Sequence, residues 1–254
     1  MDLGLAGRVY VVSGGSRGLG RATAEALVAE GARVVIGARD TAEVERVAQE
    51  LGGPAHAVGV TADLGEAASA QRLVEAAHSA YGGVDGALVS VGGPPVGAIT
   101  DLEDDSWRAA FESVFLGAVR LARQVAGALG ADGGSIGFVL SSSVRMPIAG
   151  LAISNGFRPG LAGVAKTLAD ELGPRGIRVF GLLPGRIATD RLVELDGLSG
   201  DAAAARQRSE AGIPLRRYGE PAEFGRVAAF LLSPAASYVT GSMIPVDGGA
   251  IRAL

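Results

Sequence analysis

No cysteine occurs in the 254 residues, which excludes disulfides and thiolate chemistry. Histidine is nearly as scarce. His56 and His78 fall on an expected strand and an expected helix, they form no cluster, and neither a metal site nor a catalytic imidazole is expected. Lysine occurs once, as Lys166, in a chain rich in arginine, and tyrosine only as Tyr10, Tyr81, Tyr218 and Tyr238. No apolar run approaches the ~18 residues that cross a bilayer. With a net charge of −4 and no basic block, nothing points to nucleic acid or to a membrane surface. Residues 1–7 carry an acid and no long apolar stretch, unlike a signal peptide. A cytoplasmic protein whose partner is a small molecule is the expectation.

What is abundant is apolar surface, at 48% of residues, enough for one sizeable core. It comes as short runs alternating with helical patterns. Strands are predicted near 9–12, 33–36, 55–59, 86–90, 135–140, 177–183 and 243–246. Helices are predicted near 21–30, 41–51 with Thr41 as N-cap, 66–81, 103–129, 155–172 and 223–232. Between 103 and 129, Trp107, Phe111, Val114, Phe115, Ala118 and Ala122 step by three and four, giving one apolar face. Residues 184–212 are more polar and less periodic, and read as a substrate-side flap holding a short helix. Alternating strands and helices imply one α/β domain over 1–254, a doubly wound parallel sheet of about seven strands with helices on both faces. No linker or internal repeat divides it.

Between the first strand and first helix runs Ser13-Gly14-Gly15-Ser16-Arg17-Gly18-Leu19-Gly20. Gly14, Gly18 and Gly20 let the backbone turn tightly and approach a pyrophosphate, which the helix N-terminus then receives on free N–H groups. Gly14, Ser16, Arg17, Gly18, Leu19 and Gly20 are therefore candidate dinucleotide contacts. At the end of the second strand an acid would bond the ribose 2′-hydroxyl of NAD. Here that place holds Ala38, followed by Arg39. With Arg17, Arg39 offers two guanidinium groups to a 2′-phosphate, favouring NADP(H).

These features resemble the classical short-chain dehydrogenases/reductases over residues 7–249. The glycine loop is similar to the family's T-G-x-x-x-G-I-G. Asp63-Leu64 matches the acid that holds the adenine, and Ser90-Val91-Gly92-Gly93 stands where the family has N-N-A-G. Pro184-Gly185, with Ile187 and Thr189, matches the segment lining the nicotinamide and phosphates. Val239-Thr240-Gly241-Ser242 and Val246-Asp247-Gly248-Gly249 match the closing signatures. The resemblance implies a Rossmann fold, cofactor contacts at Asp63, Leu64, Ser90, Gly92, Pro184, Gly185, Ile187 and Thr189, and a homodimer or homotetramer built on the helices 103–129 and 155–172.

The family's chemistry rests on a serine, a Tyr-x-x-x-Lys pair and an upstream asparagine. Ser141 falls on the serine. Thirteen residues on, the tyrosine position holds Ser154, and the lysine position holds Arg158; Val114 replaces the asparagine. No tyrosine lies between Tyr81 and Tyr218, and Ala162 precedes Lys166 by four, so no other pair exists. A serine hydroxyl is a far weaker acid than a phenol. Arg158 keeps a charge able to bond the ribose but cannot relay a proton. Ser141, Ser154 and Arg158 remain the candidate catalytic set. The Ser141-Ser142-Ser143 hydroxyls are either turn chemistry or substrate contacts. Asn155 is a possible oxyanion donor or a helix-start residue, and Arg186 a possible clamp for an acidic substrate or a solvated side chain. Tyr218 and Tyr238 read as structural. Three functions stay open: an NADP(H)-dependent oxidoreductase of a small carbonyl or alcohol with an atypical centre, a nucleotide-binding sensor or partner subunit without turnover, and a lyase or epimerase using the same pocket.

Overall fold

The computed structural model describes residues 2–197 and 200–253. Its centre is strand β1 (Val9–Ser13), whose five residues are all buried. β1 pairs in parallel with β2 (Arg33–Ala38) on one side and with β4 (Gly86–Val89) on the other. β3 (Ala57–Thr61) extends the first side; β5 (Gly134–Val139), β6 (Ile177–Pro184) and β7 (Met243–Val246) extend the second. The order β3-β2-β1-β4-β5-β6-β7 is parallel throughout, the single-domain Rossmann-like fold expected.

Successive β1 residues face opposite sides. Val9 and Val11 join a core with α3 (Ser69–Tyr81), α5 (Gly117–Ala128) and α6 (Ala152–Leu172). Tyr10 and Val12 join the other core, with α1 (Gly18–Ala29), α2 (Thr41–Glu50) and α9 (Pro221–Leu232). Polar groups in the second core are matched. Arg178 on β6 donates to the carbonyls of Leu231 (2.7 Å) and Ser233 (2.9 Å), and Ser135 Oγ to that of Leu232 (2.7 Å). Carbonyls that end a helix without an intrahelical partner are thereby satisfied. Burial pushes the Tyr10 phenol up, so it stays protonated and donates to Leu232 O at 3.3 Å.

Several boundaries differ from the sequence expectation. The N-cap of α2 is Asp40, whose carboxylate accepts from Glu43 N at 3.0 Å; Thr41 is the first helical residue. Strand β3 starts two residues later than expected, leaving His56 exposed before it. The helix expected over 103–129 is α4 (Asp104–Ala110) and α5 joined by a π-helical stretch, Phe111–Leu116. A wide turn preserves the apolar stepping on either side, which is why periodicity did not reveal it. The helix expected from 155 begins at Ala152, putting Ser154 in its first turn, and contains Pro159. The flap carries two helices, α7 (Asp190–Gly197) and α8 (Ala202–Gly212). No helix among the described residues is long and apolar enough to cross a membrane.

Helices α1 and α9 approach so closely that a Cβ on Gly225 would lie 2.2 Å from the Ala22 carbonyl oxygen. Replacing glycine by alanine inside a helix ordinarily gains about 0.5–1 kcal/mol. Gly163→Ala, with nothing within 4 Å of the added carbon, is expected to gain that amount. Gly225→Ala is expected to reverse the sign and lose about 1–3 kcal/mol. Urea unfolding of both variants measures the contrast.

Candidate active site and dinucleotide cleft

The loop after β1 reverses direction with Gly14 at φ 60° and Gly18 at φ 56°, a region that favours glycine. A Cβ on Gly20 would lie 2.2 Å from the Gly14 carbonyl oxygen, so helix α1 starts hard against the loop. The residue preceding it, Arg17, makes no side-chain cap. Among the described residues, the backbone N–H groups of Gly18, Leu19 and Gly20, in the first turn of α1, have no intrahelical acceptor. Unpaired amides at a helix N-terminus suit a pyrophosphate. Ser13 fastens the loop to the strand beside it: its Oγ donates to Ser90 O (2.8 Å) and accepts from Ser90 N (3.0 Å).

The other expected contacts lie at or beyond the C-terminal ends of the parallel strands. Thr189 lies against Gly18, with its Cγ2 3.6 Å from where a Cβ would be. Gly185 N donates to Val246 O at 3.0 Å, which docks Pro184-Gly185 on β7, and Ile187 is buried. Asp63 is half-buried and accepts from Gly65 N at 2.9 Å, with Leu64 half-buried between them. Arg17 and Arg39 are exposed, and neither side chain has an ion pair or hydrogen bond among the described residues. The amide set and the unpaired guanidinium groups fit a phosphate-bearing dinucleotide.

The three candidate catalytic positions meet in one cavity. Ser141 follows β5, and its Oγ accepts from Ser143 N at 3.0 Å, which leaves its own proton free to be donated. Ser154, buried in the first turn of α6, shares with it a hollow of about 140 Å³. Arg158, one turn on, is 5% exposed. Its guanidinium donates to the carbonyl of Val139 and, at 3.5 Å, to that of Gly92, while Nε has no partner. No carboxylate pairs with it among the described residues. Burial pushes its pKa down to about 10, so it remains charged at neutral pH. Val114 is buried with Ala110 and Ile153 and packs apolar surface.

Two candidates are occupied elsewhere. Asn155 accepts from Ile148 N (3.0 Å) and donates to Ile148 O (2.8 Å), pinning the 141–151 loop to α6 rather than facing an oxyanion. Arg186 is bound to Asp196 at 2.8 Å; that carboxylate also accepts from Tyr218 at 3.0 Å, so this arginine braces the flap and does not clamp a substrate. Tyr218 is accordingly structural, while Tyr238 is fully exposed. The arginine that does line the Ser141 cavity is Arg191 on α7, with Leu195 one turn along. Helical spacing of four between them was the signal, masked because residues 184–212 read as weakly periodic. A second hollow of about 240 Å³, between α7 and α8 and lined by Leu192, Ala202 and Tyr218 among others, includes none of the candidate site residues.

A family model described as enoyl-(acyl carrier protein) reductase matches residues 14–250. The L-rhamnose 1-dehydrogenase (NAD(P)(+)) of Azotobacter vinelandii is 34% identical over 95% of this chain and 96% of its own length. Dehydrogenase/reductase SDR family member 4 of Homo sapiens is 33% identical over 96% and 88%. Among solved structures, L-sorbose reductase from Gluconobacter frateurii, complexed with NADPH and L-sorbose, superposes with a TM-score of 0.94 at 30% identity over the whole of both chains. By glycine loop, sheet order and these likenesses, the chain belongs to the short-chain dehydrogenase/reductase family of nicotinamide-dependent oxidoreductases.

Proposed function

We propose that the protein is an NADP(H)-dependent oxidoreductase acting on a small carbonyl or its alcohol, with Ser141, Ser154 and Arg158 in place of a serine–tyrosine–lysine centre. The observation that carries this is the convergence of those three side chains on one cavity, with the charge of Arg158 uncompensated beside it. A reduced dinucleotide held by the glycine loop, Arg17 and Arg39 would supply the hydride, and water the proton, that turn the carbonyl into its alcohol. The Ser141 and Ser154 hydroxyls donate to the oxygen as its charge grows, and Arg158 stabilises that charge from a site largely shielded from water. Neither hydroxyl is acidic enough to replace a phenol. A missing general acid typically costs about 10²–10⁴-fold, so substrates with an activated carbonyl are favoured. The same deficit supports a second function, binding of NADP(H) without turnover.

A titration of purified protein with NADPH and NADH, followed by a carbonyl panel, tests both. NADPH is expected to bind more tightly, and Arg17→Ala or Arg39→Ala to lower its affinity about 10–100-fold, the worth of one charge-assisted hydrogen bond, with NADH little affected. Consumption of NADPH with matching alcohol formation supports the enzyme. Tight binding without consumption across the panel leaves only the second function. Ser141→Ala is expected to lower kcat about 10²–10³-fold.

The pH profile separates this centre from one with a tyrosine. Between roughly pH 6 and 9 no group of the centre titrates, so kcat is expected to be level. Arg158, held down at about 10 by burial, is the first to change. It loses charge as pH rises through that value, and kcat is expected to fall with it. An ionisation near neutral pH in the kcat profile would contradict the assignment.

A further inference from the structure

We infer that the cavity over Arg158 takes a carboxylate, and that the substrate class is a small 2-oxo acid or the corresponding 2-hydroxy acid. This rests on the oxidoreductase function proposed above but has its own observations. The polar side chains of the cavity wall are Ser141, Ser154, Arg158 and Arg191; among the described residues no aspartate or glutamate lines it. Two guanidinium groups and two hydroxyls therefore meet with no anion between them. Arg158 is the sharper indicator, being 5% exposed, without a carboxylate partner, and with an Nε that has no hydrogen bond. Taking an arginine out of water is unfavourable unless something compensates its charge. Two carbonyl dipoles, of Val139 and Gly92, are its hydrogen-bond partners among the described residues.

Arg191 is placed to share the ligand. It is held at the rim by Pro94 O (2.9 Å) and Glu194 (3.2 Å). These use two of the five N–H donors of a guanidinium. A carboxylate accepts from such a fork in two parallel bonds. Size narrows the class further. The hollow of about 140 Å³ is close to the ~150 Å³ of an engineered cavity that binds benzene. It suits a ligand of roughly six heavy atoms, with carbonyl and carboxylate adjacent or one carbon apart, and the adjacent arrangement is the activated one. In that arrangement the carboxylate faces the arginines while the carbonyl oxygen meets Ser141 and Ser154. An adjacent carboxyl group also activates the carbonyl, which suits a centre lacking a phenolic acid.

The probe is oxamate, an unreactive carboxylate of this size, against oxamide, its neutral counterpart. Both are titrated calorimetrically into the full-length protein, with and without NADP+. Oxamate is expected to bind saturably and at least about tenfold more tightly than oxamide. Arg191→Gln, at a half-exposed position, is expected to weaken oxamate by about tenfold or more while the melting temperature without ligand is kept, and Arg191→Lys to restore part of the loss. Pyruvate is expected to be reduced with a higher kcat/KM than butanone. Equal binding of oxamate and oxamide, or oxamate binding indifferent to Arg191→Gln, overturns the carboxylate site. Reduction of butanone with no preference for oxamate leaves the oxidoreductase function standing and removes only this inference. Selective oxamate binding with no carbonyl reduced does the reverse.

Discussion

The parallel pairing of β1 with β2 on one side and β4 on the other is the constraint from which the site follows. Chain order reverses at β1, so the connections after β1 and β4 leave the sheet edge in opposite directions and open a crevice between them. Because every strand is parallel, every strand's C-terminal end lies on the same rim. That is why the glycine loop, Ser90, Ser141 and Pro184-Gly185, separated by up to 172 positions of sequence, come together. Ser13, bonded twice to the backbone of Ser90, is the local stitch across that crevice. Dinucleotide and substrate groups thus depend on strand pairing first and on their own loops second.

Most of the fold was legible because buried parallel strands read as uninterrupted apolar runs, such as Val9-Tyr10-Val11-Val12, bracketed by glycine turns. The tight turn of the candidate cleft was legible for a related reason: backbone at φ near 60° demands glycine, as at Gly14 and Gly18, and glycine is visible in a sequence. Side-chain roles in the substrate pocket were not. Arg186 and Arg191 both belong to the flap, and only the orientation of α7 decides that one meets Asp196 and the other the cavity. Asn155 looked available because its partner, the backbone of Ile148, carries no residue-type signal. The π-helical stretch escaped because stepping by three and four continues on both sides of it.

The substitutions at 154 and 158 work together physically. A tyrosine–lysine pair combines an acid with a cation that lowers its pKa. With serine at 154 there is no phenol to tune, and the cation at 158 reaches instead to the sheet, bonding Val139 and Gly92 at the ends of two strands. In the proposed centre a positive field takes the place of proton transfer. A fixed positive charge walled partly by leucines acts at fuller strength than one in water. The cost is borne by the folded state, which holds a guanidinium that no carboxylate among the described residues neutralises, a strain of the kind proteins retain at functional sites.

The wide turn at Phe111–Leu116 bears on how chain length can vary. A π turn carries one residue more than an α turn of the same path. Deleting a single residue there lets the segment close into regular α-helix, while Trp107 before it and Ala118 after it keep the faces they already bury. In α9, where Gly225 lies against α1, a one-residue change rotates every contact by about 100°. A one-residue change of length therefore has a natural point of entry beside α6, one that leaves the sheet and its C-terminal rim untouched.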